Sequence, residues 1–520
     1  MITMQKKIQL GTKFFLFIAL AMLLAVSTFA QTATGFVFDD QNRNGVMDSG
    51  ERGIPGVMVS NMRDIVRTDS RGRYSIDAGD DSVIFVIKPR NWAFPLDEDN
   101  YPKFYYVHKP KGSPPLKQGG VPPTGPLPPR IDFPLYRSSE PNRFDVLVFG
   151  DTQPSNDDQL DFTVQDAISE VVGIDAAFGI TMGDIISGGN LQLLPPIKSA
   201  KGRVGIPWLY VQGNHDKDFD APDDSLASET WQRIFGPQYY AYQYGPVLFV
   251  ILENVNWTGE GYTSALGANQ LQFLDNLLRM TPKDQLIVFN LHIPLIEMED
   301  RKEFFKLLRE HTNTLSFASH THTVHHRFFG EEDGWLQERP HHHFNVGAVC
   351  GSWWGGELTN LGVPHTMKRD GTPRGYFILT LDGNRYSMRF QGTGMHPDTQ
   401  MHLWTPHRID KAELTNSYAW ANVFAASPLC RVEARFNDGP WRPMVSRPGH
   451  DPFLTEIKRL ESEKILPATG RAIAAPIDTD HLYWVPFPRD ISPGYHTFEV
   501  RWRDLYGQEF RSARVFRVEH

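Results

Sequence analysis

Five short blocks between residues 150 and 322 carry side chains that bind metal ions. They are Gly150-Asp151-Thr152-Gln153, Gly183-Asp184, Gly213-Asn214-His215-Asp216, Leu291-His292 and Ser319-His320-Thr321-His322. Hydrolysing a phosphate ester needs ionised water at neutral pH, neutralised phosphoryl oxygens and a proton for the leaving oxygen. Two cations about 3.5–4 Å apart, tied by a bridging carboxylate, meet the first two needs. Asp184 suits that bridge. Asp151 and Gln153 stand two apart, so on extended chain they point to one side and can share a cation. His320 and His322 have the same spacing, and His292 stands alone after an apolar run. The Asn214 carbonyl is a neutral ligand, which leaves the adjacent His215 to meet the substrate phosphate. Any one block is also what a Gly/Asx turn after a strand looks like. The order and company of all five is what points to a two-cation centre.

The surrounding chain supplies elements able to position them. From Phe144 onward, apolar runs alternate with helix-like periods. Val146–Phe149, Ala176–Met182, Trp208–Val211, Val247–Leu252, Leu286–Phe289 and Leu315–Ala318 read as strands. Leu160, Val164 and Ile168 mark one helix face, Leu271 to Leu278 a second, and Phe304 to Leu308 a third. Such alternation implies a layered α/β domain. Ligands gather at the carboxyl ends of strands in these sheets, and the blocks are expected at the strand ends of one sheet. Gly375–Phe390 reads as a hairpin turning at Asp382-Gly383.

A chain of 520 residues is too long for one core. Lys6, Lys7 and Lys13 precede an apolar run over 14–26, and Thr28-Phe29-Ala30 offers a cleavage site. Residues 1–30 therefore read as a secretory signal peptide, and the protein is expected in the periplasm or outside the cell, with no membrane span after cleavage. The formal charge of -9 falls to -12 when those three lysines leave. An acidic protein is a poor non-specific partner for nucleic acid. Cys350 and Cys430, the only cysteines, are expected to stay free thiols in different domains.

Residues 31–137 look all-β, with short runs at Gly35–Phe38, Val57–Val59, Tyr74–Ile76 and Val83–Ile87. The Pro- and Gly-rich stretch over 110–129 reads as a long loop or semi-rigid linker. Within this region a twelve-residue loop runs from Asp40 to Glu51. Asp40, Asn42, Asn44, Asp48 and Glu51 place oxygens at positions 1, 3, 5, 9 and 12, Gly45 takes the sharp bend, and Val46 offers its carbonyl. Its strand-like flanks, with Gly53-Ile54-Pro55-Gly56-Val57 and Thr68-Asp69, make it similar to the calcium-binding B-type repeats of bacterial surface adhesins. That resemblance implies a structural Ca²⁺. After about residue 396 the runs Val432–Phe436, Leu482–Val485, His496–Trp502 and Val515–Val518 suit a small β-sandwich.

The five blocks together resemble the calcineurin-like metallophosphoesterase superfamily over about residues 143–392. The family pattern is D-x-H, G-D, G-N-H-[DE], a lone H, and G-H-x-H. The resemblance implies that Asp151, Gln153, Asp184 and His322 bind one metal and that Asp184, Asn214, His292 and His320 bind the other. His215 is then not a ligand but a proton donor to the leaving group, oriented by an acid such as Asp216. Gln153 stands where the pattern has His, which shifts preference from Zn²⁺ toward Mn²⁺ or Fe²⁺, and Ser319 replaces a Gly. The whole chain is also similar to a bacterial exported group with a β module before the phosphoesterase domain and a β domain after it. Leu482-Tyr483-Trp484, Pro493-Gly494-Tyr495-His496 and Arg503-Asp504 carry that likeness.

The expected organisation is a signal peptide (1–30), a β-sandwich with the calcium-like loop (31–137), the α/β phosphoesterase sandwich (138–395) and a second β-sandwich (396–520). Trp353 and Trp354, beside flexible glycines, are candidates for an aromatic wall against substrate, and Arg374 for a phosphate contact. Of His341, His342 and His343, two are expected to be solvated and none to bind metal, and the same holds for His325 and His326. The expected activity is hydrolysis of phosphomonoesters or phosphodiesters, envelope-derived ones included, by attack of a metal-bound hydroxide. A protein Ser/Thr phosphatase and an inactive envelope-binding protein are the competing readings.

Overall fold

The computed structural model describes residues 31–520, so the expected signal peptide lies outside the described residues. Residues 31–137 build two four-stranded sheets. One runs Arg73–Ala78, Gln31–Asp39, Phe133–Arg137, Trp92–Ala93, and the other Ile65–Arg67, Met58–Ser60, Ser82–Ile87, Tyr105–His108. In Arg73–Ala78 buried and exposed residues alternate strictly, the period of a strand with one face on a core. The stretch over 110–129 holds no helix or strand.

The central domain is a sandwich of two sheets rather than one, and this corrects the single-sheet expectation. The five-stranded sheet runs Trp208–Tyr210, Phe178–Thr181, Arg143–Phe149, Gly375–Asp382, Arg385–Gly392. Its first three strands are parallel, and the last two form an antiparallel hairpin that turns at Gly383. The six-stranded sheet runs Tyr240–Tyr244, Val247–Ile251, Ile287–Asn290, Thr314–Ala318, His341–Val346, Val324–Phe329. A hydrophobic run shows that a strand is buried but not which sheet takes it, so the split was hidden in the sequence. Helices such as Gly267–Arg279 cover the outer faces, with Phe273, Leu274, Leu277 and Leu278 buried.

One continuous core joins the N-terminal module to this sandwich: Phe85, Tyr101 and Phe104 belong to the same buried cluster as Tyr210, Phe235 and Phe249. Tyr101 donates its hydroxyl to the Phe235 carbonyl at 2.6 Å, and Lys109 pairs with buried Glu229 at 2.6 Å. The C-terminal region builds its own core between a four- and a five-stranded sheet. It also holds elements absent from the sequence reading: the strand Tyr418–Val423 and the helix Pro452–Ser462, capped by the Asp451 carboxylate.

The histidine triplet is a second correction. His341, His342 and His343 are all buried, as is His326, while His325 is partly buried. The strand His341–Val346 lies inside its sheet, between Thr314–Ala318 and Val324–Phe329. There the rings behave as aromatics: His342 stacks on His326 at 5.1 Å and on Phe328 at 4.7 Å. Neighbouring hydroxyls of Thr314 and Ser316 meet both His341 nitrogens at 2.8 Å, and His342 meets Tyr386 at 2.8 Å. Cys350 and Cys430 are both unpaired. No helix among the described residues is long and apolar enough to cross a membrane.

Candidate metal centre

All five blocks converge where the parallel strands of both sheets end. Asp151 and Gln153 follow Arg143–Phe149, Asp184 follows Phe178–Thr181, and Asn214 follows Trp208–Tyr210. From the facing sheet, His292 follows Ile287–Asn290 and His320 and His322 follow Thr314–Ala318. Two glycines let the loops close on one another. A Cβ on Gly183 would lie 2.4 Å from the His292 ring, and one on Gly213 would lie 2.2 Å from the Asp184 backbone nitrogen.

The donor atoms sit at ligand-to-ligand distances. Asp184, His292 and His320 each offer an atom within 4.8 Å of the others. His292 Nε2 is 3.3 Å from Asp184 Oδ1, 3.0 Å from Asn214 Oδ1 and 3.2 Å from His320 Nδ1. His322 Nε2 is 2.9 Å from Asp151 Oδ2. Asp151 is fully buried, and apart from that His322 contact neither of its oxygens has a hydrogen-bond partner. A buried carboxylate so poorly met is costly unless a cation joins it, so the residues present fit a two-metal centre.

The backbone here is strained in one pattern. Gln153, Asp184, His320, His322 and Trp353 all have positive φ, from 42° to 67°. Non-glycine residues in the left-handed region cost about 1–3 kcal/mol each and gather at functional sites. Their neighbours then fix ring and carboxylate orientations. His292 donates Nδ1–H to the Met182 carbonyl at 2.9 Å, which leaves Nε2 as the ligand atom. Asp184 Oδ1 accepts the His215 backbone N–H at 2.9 Å, and Oδ2 accepts the Gln153 amide N–H at 2.7 Å.

Charges in the cluster are strongly shifted. Burial acts to raise the Asp184 carboxyl, but His292 and the N–H of His215 outweigh it and hold it well below the usual range. Burial acts to lower His292, yet Asp184 pushes it up to about 10. Burial and the charge on Asp184 push Asp216 up to about 7.

Several site expectations change on these geometries. Asp216 does not orient His215. Its buried carboxylate accepts the backbone N–H groups of Gly213, Ile185 and Ile186 at 2.9 to 3.2 Å, so it ties two ligand loops together. His215 is instead oriented by a peptide group: Gly188 donates its N–H to Nδ1 at 2.9 Å. That places the ring proton on Nε2, which points toward Asp184 Oδ2 at 4.0 Å. Gln153 turns its amide nitrogen to Asp184, with its oxygen 4.0 Å from the Cys350 thiol. Arg374 is not at the centre, because its guanidinium is held by Asp166 at 2.8 Å and by the Pro364 carbonyl. Trp354 is buried with Ala348, Cys350 and Val363 and donates to the Thr152 carbonyl, so it supports the Asp151 loop from behind. Trp353 does reach the centre, its ring 4.9 Å from that of His322.

The calcium-like loop lies in the N-terminal module. Asp40 accepts the N–H groups of Asn44 and Gly45, Asp48 accepts the side chains of Asn42 and Asn44, and Glu51 accepts the N–H groups of Gln41 and Asp48. Val46 turns its side chain to solvent. Sequence reasoning missed three residues around the mouth. Tyr262 lies 5.8 Å from the His320 ring, Phe219 lies 6.3 Å from the His215 ring, and Arg471 lies 4.0 Å over Trp353. Tyr262 opens the short strand Tyr262–Ser264 while Phe219 and Arg471 come from loops, and none of the three has a local pattern that carries a metal or phosphate signal.

Comparison with known proteins agrees with this centre. The family model described as calcineurin-like phosphoesterase matches residues 144–324. Those described as the N terminal and the C terminal of calcineurin-like phosphoesterase match residues 41–117 and 343–510. The chain belongs to the calcineurin-like phosphoesterases, with the family's N- and C-terminal extension domains on either side of the metal-binding domain. It is thus of the metal-dependent phosphoester hydrolase class. Among solved structures it is similar to purple acid phosphatase PPD1 from yellow lupin (Lupinus luteus) seeds. The identity is 13%, the match covers 65% of this chain and 67% of that one, and the TM-score is 0.36, a likeness that carries no further argument. No curated protein matches the chain.

Proposed function

We propose that this protein is an exported hydrolase of phosphomonoester or phosphodiester bonds, acting on small or envelope-derived phosphoesters in the periplasm or outside the cell. The carrying observation is the pairing of two donor groups around Asp184 with a His215 whose Nε2–H is free of any ligand role. When bound, two divalent cations (Mn, Fe or Zn) neutralise phosphoryl charge and lower the pKa of water. Asp151, His322 and Asp184 would hold one, and Asp184, Asn214, His292 and His320 the other. Gln153 joins the first set if its amide turns over. As it stands, the Gln153 N–H holds the bridging carboxylate in place.

His215 does the remaining chemistry. The Gly188 N–H occupies Nδ1, so Nε2 presents its proton to an oxygen seated between it and Asp184, and the leaving oxygen takes that proton. The lysine-led apolar segment over 1–30 supports export, and the acidic net charge of -9 supports a partner other than nucleic acid. A structural Ca²⁺ in the loop from Asp40 to Glu51 belongs to the same reading, and a melting temperature unmoved by Ca²⁺ would remove it.

The test is turnover of p-nitrophenyl phosphate and bis-p-nitrophenyl phosphate by the Mn²⁺-loaded chain. Asp184→Asn should lose activity on the order of 10²-fold or more. Equal activity in that variant sinks the assignment. Turnover of phosphopeptides alone would turn the reading to a protein Ser/Thr phosphatase.

A further inference from the structure

Trp353 stands at the mouth of the metal centre, half-buried, with its ring against the ligand His322. Its backbone is in the left-handed region at φ 67°, and its carbonyl accepts the Thr366 hydroxyl at 2.7 Å. The chain thus holds a bulky ring in a strained conformation at one spot. Arg471 lies on that ring with its guanidinium 4.0 Å from the ring centroid. Arg471 comes from the C-terminal domain, more than a hundred residues further along the chain.

The segment that delivers it is fastened rather than draped. Gly356 donates its N–H to the Arg471 carbonyl, and Thr469 donates its N–H to the Gly356 carbonyl, both at 2.8 Å. Beyond the arginine, the Ile473 N–H meets Glu461 at 2.8 Å, and its carbonyl accepts Lys458 Nζ at 2.6 Å. Arg471 itself is exposed, and its cation rests on an aromatic face rather than on a carboxylate. A stacked guanidinium keeps its N–H groups in the plane of the stack, free to take an oxyanion two at a time.

Resting on the phosphoesterase reading of the centre, we propose that Arg471 is a substrate-binding residue that takes a second anionic group adjoining the scissile phosphate. The preferred substrates are then phosphoesters that carry a further carboxylate or phosphate beside the bond cleaved. The C-terminal domain supplies this part of the site, with Trp353 as the plate that orients the guanidinium.

The test compares phenylphosphonate with 2-carboxyphenylphosphonate, which resist hydrolysis, by calorimetry on the Mn²⁺-loaded full chain. The wild type should bind the carboxy compound about tenfold more tightly. Arg471→Ala should abolish that margin and leave phenylphosphonate binding unchanged. Arg471→Lys, which keeps the charge but loses the planar fork, should fall between them. A wild type that does not discriminate, or an alanine variant that weakens both ligands equally or neither, overturns the proposal. Turnover of phenyl phosphate by the same wild-type preparation reports separately on the catalytic reading. No turnover with the discrimination intact removes that reading and keeps Arg471 as an anion-binding residue.

Discussion

Two groups of histidines lie in the interior of this molecule within about one domain, all buried except the partly buried His320, and they do opposite work. His292, His320 and His322 end strands, face Asp184 or Asp151, and two of the three have positive φ. His326, His341, His342 and His343 lie within strands and face rings and hydroxyls. Burial therefore does not distinguish a ligand from a core residue here. A carboxylate partner and a backbone bent out of the strand do. The electrostatics follow: Asp184 overcomes burial to push His292 up to about 10, while burial alone pushes His341 down to about 3.

That contrast can be broken at several places. The largest expected effect is on the ligand side. Beyond Asp184→Asn, His215→Ala should lower kcat by about 10²- to 10⁴-fold while metal content by elemental analysis stays at the wild-type level. A His215 variant that loses metal would make this residue a ligand and erase its separate role.

On the core side the expected effect is on stability. His326 and His341 have folded pKa values lowered to about 3, so their protons bind the unfolded chain more readily. Stability from these residues is present above pH 6.5 and is lost as pH falls from 6.5 toward 3, by about 1.4 kcal/mol per pH unit for each. Urea midpoints of the metal-free wild type and of His341→Phe at pH 6.5 and 5.0 measure this, because comparing the two proteins cancels the other buried groups, such as His292 and Asp216, whose contributions grow as pH falls. The wild type should lose more stability than the variant between the two pH values. An equal loss in both would mean that the buried ring is not held neutral.

A smaller effect separates structural from substrate-facing arginines. Arg374→Ala removes one partner of a nearly buried ion pair with Asp166 and should cost about 3 kcal/mol of stability, with KM for p-nitrophenyl phosphate unchanged. A KM rise without a stability loss would return Arg374 to the site.

The legible part of the molecule was the part written locally. Each ligand block combined an oxygen or imidazole donor with a preceding apolar run, all but Leu291-His292 added a glycine or small residue, and a strand end needs no distant information to be recognised. The hairpin at Gly383 and most alternating strands of the outer domains, though not Tyr418–Val423, were readable for the same reason. What stayed hidden depends on contacts far apart in sequence. The second sheet of the sandwich is a choice of neighbours, not of residues. His341–His343 look polar as a string, although the nearby phenylalanines at 328, 329 and 344 were a signal that rings would stack there. Asp216 looked like the orienter of His215 because it is adjacent in sequence, but its carboxylate is spent on three backbone N–H groups. Arg471 had no local mark at all.

The Gly188 contact has a further meaning for how this site can change over time. The proton position on His215 is set by a main-chain amide, on a residue at φ 67°. No side-chain replacement elsewhere deletes that donor, and drift in the surrounding loop leaves it in place so long as the chain keeps its path. An insertion or deletion near residue 188 would do what point substitutions do not: turn the imidazole around and leave a fully assembled metal centre with its proton on the wrong side.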